Sequence, residues 1–321
     1  MLIEMLSSTL MQRAFIVAVL VGLAAPVVGT YLVQRRLTLL GDGIGHIALT
    51  GVALGWLAAN AAGAANREAW AIPGAIIASV AGALLIEWMR TRGHASGDVA
   101  LALLFYGGIA GGVLLIGIAG GTTTNLNAYL FGSISTVTEL DMWLTVGLAA
   151  FILAVGIGLR PALFTLSYDE EFARASGLPV RLLSVLISVT AALTVSVAMR
   201  VVGALLVSAL MIVPVAVSQM VSRSFRFTMI GGMVIGVAAA VTGLTITYFK
   251  PWSPGATIVL LAVFLYALVA AFRPLVIRIL HRDVQPRDPH PDMGHDVALP
   301  GASATSASAV AGTAQERSTP C

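Results

Sequence analysis

Gln34-Arg-Arg-Leu-Thr-Leu-Leu-Gly-Asp-Gly-Ile-Gly-His-Ile-Ala-Leu-Thr-Gly-Val-Ala-Leu-Gly55 decides how the chain is read, because it sets Asp42 and His46 inside otherwise apolar sequence. On a helix the i, i+4 spacing brings both side chains to one face. A carboxylate beside an imidazole is a usable ligand pair for a divalent transition metal. Ionisable groups inside an apolar span are expensive, and they usually face a protein interior or a water-filled path.

The surroundings are those of a membrane protein. Hydrophobic residues make up 58% of the 321, charged residues 10%, and the mean hydropathy is +0.94. A soluble globular domain does not normally reach such values. The one cysteine is Cys321, which excludes a disulfide framework or a cysteine metal cluster within one chain. The net charge of +3 comes from arginine, with Lys250 the only lysine. In a membrane protein that basicity reports topology rather than nucleic-acid binding.

Apolar runs long enough to cross the hydrocarbon core lie near 14–33, 43–63, 70–88, 98–119, 140–160, 181–200, 201–222, 226–248 and 254–273. They predict an all-α, polytopic membrane protein with about nine transmembrane helices. The first run follows Arg13 and is long enough to span, so it reads as a helix rather than a signal peptide. The second is the weakest helix, since Gly41, Gly43, Gly45 and Gly51 allow a broken or re-entrant segment. Between the fourth and fifth runs, Gly120 to Gly132 reads as a half-buried external element. Gly107/Gly111, Gly108/Gly112 and Gly232/Gly236 have the spacing of close helix packing.

Arginine placement orients the chain, because cytoplasmic loops carry the excess of positive charge. One set of loops holds Arg35, Arg36, Arg90, Arg92, Arg160, Arg174, Arg181, Arg223, Arg226, Arg273, Arg278, Arg282 and Arg287, and the other only Arg13, Arg67, Arg200 and Lys250. Nine crossings then put the N-terminus outside and the C-terminus in the cytoplasm. Residues 1–282 read as the transmembrane domain, and 283–321 as a disordered cytoplasmic tail whose His290 and His295 are solvated.

Absences narrow the function. Lys250 stands between Phe249 and Pro251, so the chain has no Gly-x-x-x-x-Gly-Lys nucleotide loop. There is no His-Glu-x-x-His metalloprotease motif and no arginine-rich voltage-sensor helix. The loop 166–180 reads as a short helix on the membrane face, with Ser167 or Asp169 as cap, Asp169, Glu170 and Glu171 in its first turn, and Gly177 and Pro179 at its end. Glu87 is placed to pair with Arg90. Asp98, Glu139 and Asp141 sit at helix N-termini, where acids are favourable without any function. Met199, Met211 and Met220 are read as packing.

Five stretches together resemble the membrane permease of metal-ion ABC importers, the zinc, manganese and iron-chelate type. They are Arg36 to Gly55, Tyr129-Leu-Phe-Gly-Ser-Ile, Asp169 to Gly177, Val202 to Pro214, and Ser253 to Leu260. The resemblance covers residues 14 to 273. It implies a homodimer in the bacterial cell membrane, docked to cytoplasmic ABC ATPase subunits that bind the ATP and served by an extracytoplasmic metal-binding protein. The chain would not itself be an enzyme and would hold no permanent cofactor. It also implies that the 169–177 helix couples to the ATPase, through Asp169, Glu170, Phe172, Ala173 and Gly177, and that Asp42 and His46 hold the metal in transit.

This sequence departs from the family pattern at Ile44-Gly45, where a small residue and serine are usual, and at Thr50, where proline is frequent. Zinc is preferred over manganese, because a dimer joining two Asp/His pairs would make a four-ligand cage; chelated iron ranks third. The rival reading is a stand-alone ion-coupled transporter or channel, which would show internal repeats with matching broken helices.

Overall fold

The computed structural model describes residues 8–92, 97–133, 138–199, 202–204, 206–222 and 224–280. The tail from 283 onward, with His290 and His295, lies outside the described residues. The described chain forms α1 (Thr9–Gln34), α2 (Leu40–Ala61), a 3-10 turn (Arg67–Trp70), α3 (Ala71–Arg92), α4 (Gly97–Ile118), α5 (Thr123–Phe131) and α6 (Glu139–Gly158). It continues through α7 (Arg160–Tyr168), α8 (Glu170–Ala175), α9 (Val180–Ala198), α10 (Val207–Val221), α11 (Phe225–Phe249) and α12 (Pro254–Leu280). Among the described residues there is no strand.

Eight of these helices are long and apolar enough to cross a membrane, and α10 is a shorter apolar helix. With α10 included, the count roughly matches the nine runs read from the sequence. In α1, 72% of the most apolar stretch is buried, against 17% in α12, so α1 is a central strut and α12 a peripheral one. Gly22 and Pro26 of α1 meet Gly232 and Gly236 of α11; a Cβ on Gly236 would lie 2.8 Å from Pro26 Cγ. Backbones approach because small residues allow it, which is how apolar helices associate without a hydrophobic drive.

The second run is a continuous helix, neither broken nor re-entrant, despite its glycines. Each of several glycines faces a neighbour that fills its space. A Cβ on Gly51 would stand 2.4 Å from the Gly74 carbonyl oxygen, and one on Gly55 would stand 2.2 Å from that of Trp70. Tertiary packing of this kind outweighs the cost of roughly 1 kcal/mol for each helical glycine.

Two other boundaries differ from the sequence expectation. The seventh run becomes helical only at Val207. Its 15 residues span about 22 Å, less than the hydrocarbon core of about 30 Å. The preceding irregular chain turns at Gly203, with φ +93°. It is shielded by α5, whose Tyr129 carbonyl accepts the Ala204 N–H at 2.8 Å. Irregular backbone at membrane depth is tolerated when protein supplies such partners. The fifth run ends at Gly158, and α7 follows with Pro161 in its first turn, where its missing N–H costs nothing.

The element between the fourth and fifth runs is the short helix α5. Thr122 and Asn125 form a capping box at its start, and Gly132 ends it with φ +77°.

Candidate metal site and coupling helix

Asp42 and His46 occupy the first turns of α2. Because the helix is regular, His46 lies about 9 Å along it from Leu40. The pair therefore sits in the part of α2 nearest Arg35 and Arg36. Asp42 is half-buried and accepts a short hydrogen bond from the Ser208 hydroxyl of α10. His46 is 3% exposed. Its ring meets the edge of Phe105 from α4, with centroids 4.5 Å apart. Its Nδ1 has no hydrogen-bond partner among the described residues. A buried ring nitrogen without a partner is costly, and a ligand would relieve that cost.

The residues where the sequence departs from the family pattern hold this geometry. A Cβ on Gly45 would lie 2.8 Å from the Ala204 carbonyl oxygen, so the usual serine would push the irregular segment away. Ile44 is fully buried. Thr50 donates its hydroxyl to the Gly108 carbonyl of α4 at 2.8 Å, which ties the two helices at a position proline could not. Gly108 in turn lies against the His46 backbone, where a Cβ would approach to 2.7 Å.

Sequence reasoning missed Ser208 and Phe105 as neighbours of the pair. Ser208 lies within the Val202 to Pro214 stretch, and a lone hydroxyl amid apolar residues was the available signal. Among the described residues no group of three or more His, Cys, Asp or Glu is placed to hold a metal ion. One chain thus offers a carboxylate, a hydroxyl and an imidazole.

At the Arg35 end of the bundle, Asp169 caps α8 by accepting the Phe172 N–H at 2.9 Å. Ser167, the other candidate cap, is not used there. Gly177 ends the segment with φ +77°, and its N–H and that of Leu178 bond back to Arg174 and Ala173. Ala173 is fully buried and anchors the helix, while Phe172 is 61% exposed. Glu170 turns toward Arg174 at 3.2 Å and Arg35 at 3.5 Å. The remaining acids have ordinary roles: Glu87 pairs with Arg90 at 3.4 Å, Glu139 with Arg13 at 2.8 Å, and Asp141 completes a capping box with Thr138. Met199 and Met211 are fully buried, and a Cβ added at Gly41 would meet the Met211 methyl group at 2.6 Å. The side chain of Asp98 lies outside the described residues.

Eight helices long and apolar enough to cross a membrane define a multi-pass membrane protein. Residues 7–273 match the ABC 3 transport family. The chain is 30% identical to the manganese transport system membrane protein MntC of Halalkalibacterium halodurans, over 84% of this chain and 90% of that one. It is 33% identical to the manganese import system permease protein ScaB of Streptococcus parasanguinis, over 78% and 86% of the two chains. Among solved structures it resembles PsaBC from Streptococcus pneumoniae in complex with Fab, at 30% identity and a TM-score of 0.74, covering 87% of this chain and 98% of that one. The chain belongs to the ABC 3 transport family. The resemblance read from its five motifs is borne out, and as a permease subunit it is not itself an enzyme.

Proposed function

We propose that this chain is the membrane permease of an ATP-driven importer of a divalent transition metal, with manganese as cargo and Asp42 and His46 as transient ligands. The observation that carries the site is His46 Nδ1, buried and without a partner one helical turn from Asp42. Two things favour manganese over the zinc preferred from ligand type alone. The relatives are named for manganese, and Ser208 adds an oxygen donor beside Asp42. Oxygen-rich sets suit manganese. Zinc is the second reading, supported by the imidazole and by the four-ligand cage a homodimer would build.

Energy comes from a separate ATPase, because the chain has no nucleotide loop. That ATPase docks on α8, where Phe172 stands exposed on a capped helix. An extracytoplasmic metal-binding protein delivers the ion, and the arginine-rich loops favour an N-terminus outside and a C-terminus in the cytoplasm. The test is radiolabelled manganese uptake by the reconstituted complex in proteoliposomes. Uptake that needs ATP and is lost in both Asp42→Ala and His46→Ala supports the reading. Undiminished uptake in both variants removes the site, and uptake without ATP favours a stand-alone transporter.

A further inference from the structure

The α8 helix is anchored by Ala173 and tied inward by Glu170. Of its six residues only Ala173 is buried. Glu170 reaches the guanidinium of Arg35 at 3.5 Å, and the Arg35 side chain is 6% exposed. Arg35 also donates to the Ser184 hydroxyl of α9 at 2.8 Å. Burial lowers its pKa from the usual guanidinium value; Arg90 on α3 adds to that lowering, while Glu87 and Glu170 oppose it. Four elements therefore converge on this guanidinium: α8, α9, the end of α3 and the α1–α2 turn that carries it.

That turn is stiff. The N–H groups of Arg36 and Leu37 bond back to Val33 and Leu32 at 3.1 and 2.8 Å, closing α1 in a Schellman arrangement. Arg36 takes the left-handed position, φ +59°, where glycine is usual. Leu40 N–H then bonds to the Leu37 carbonyl and Gly43 N–H to that of Leu39, at 3.1 and 3.2 Å, so α2 starts with no slack. Asp42 follows Arg35 by seven residues. A displacement of Arg35 is thus delivered to the start of the helix that carries Asp42 and His46.

We infer that Arg35 is a positioning residue that transmits movement of α8 to the metal-bearing helix α2 through its ion pair with Glu170. The inference rests on the proposed role of α8 as the ATPase dock. A purely structural Arg35 would affect the amount of folded complex, and with it uptake and ATP hydrolysis together. A transmitting Arg35 affects their ratio.

The experiment uses the complex of this chain with its ATPase in proteoliposomes, reading manganese uptake and ATP hydrolysis in the same vesicles, with co-purification of the ATPase as a check on assembly. In Arg35→Gln the ATPase remains bound and hydrolyses ATP, while manganese moved per ATP falls about fivefold or more. Arg35→Lys, which keeps the charge, recovers most of the ratio, and Glu170→Gln lowers it as Arg35→Gln does. A wild-type ratio in Arg35→Gln overturns the inference. So does Arg35→Lys as uncoupled as Arg35→Gln, or Glu170→Gln with an unchanged ratio. If wild-type uptake proves independent of ATP, the functional reading itself fails, and this inference falls with it.

Discussion

The Ser208 hydroxyl of α10 donates to the Asp42 carboxylate of α2, across an interface between segments 166 residues apart in sequence. This bond fixes the carboxylate where the short helix begins. A net hydrogen bond of this kind contributes about 1 kcal/mol, more when the acceptor is charged. Ser208→Ala should therefore weaken the apparent affinity for manganese roughly fivefold while leaving transport measurable, whereas Asp42→Ala abolishes it. Uptake measured over a range of manganese concentrations separates the two. A Ser208→Ala protein as inactive as Asp42→Ala would mean the hydroxyl is itself an indispensable ligand.

Adjacent glycines of α4 make opposite predictions. Gly107 has open space where a Cβ would go, and Gly108 has the His46 backbone at 2.7 Å. Gly107→Ala should be neutral or slightly stabilising in a helix. Gly108→Ala should cost about 1–3 kcal/mol through forced separation of α2 and α4. Thermal unfolding of the two purified variants in detergent checks this. Equal melting temperatures would contradict the packing described for α2.

Removal of the Asp169 cap should cost α8 about 1 kcal/mol of local stability. Asp169→Ala should therefore reduce the fraction of complex that retains its ATPase. Phe172→Ala removes an exposed ring and leaves the cap in place, so co-purification should fall with no change in melting temperature. Full retention of the ATPase by Phe172→Ala would move the dock elsewhere.

The lone cysteine is a ready topology probe. With the C-terminus in the cytoplasm, Cys321 in intact cells should resist a membrane-impermeant maleimide and react only after permeabilisation. A Cys321→Ser, Ala65→Cys protein should show the reverse, since Ala65 is exposed in the α2–α3 connection at the opposite end of the helices from Arg35. Labelling of Cys321 in intact cells would invert the orientation.

Much of this was legible in the chain itself. Twenty-residue apolar runs report the approximate number of helices because lipid penalises unsatisfied backbone. The α8 cap and its Gly177 terminus are local chemistry, and local chemistry is written in neighbouring residues. What escaped was tertiary. The glycines of α2 suggested a break because helix propensity counts only the chain's own cost, and the filled spaces at Gly51 and Gly55 belong to α3 and the turn before it. The late start of α10 depends on a hydrogen bond from Ala204 to Tyr129, and the partnership of Ser208 with Asp42 joins segments that sequence order keeps apart. No periodicity encodes either one.

The Ala204–Tyr129 bond has one more consequence. Ala204 lies between two close approaches, its N–H committed to α5 and its carbonyl set against Gly45 of α2. Away from water, the N–H cannot be stranded without a penalty of a few kcal/mol. Ala204 therefore behaves as a splint: one residue is bonded to α5 and packed against α2, so a displacement of α5 is felt at Gly45, beside His46.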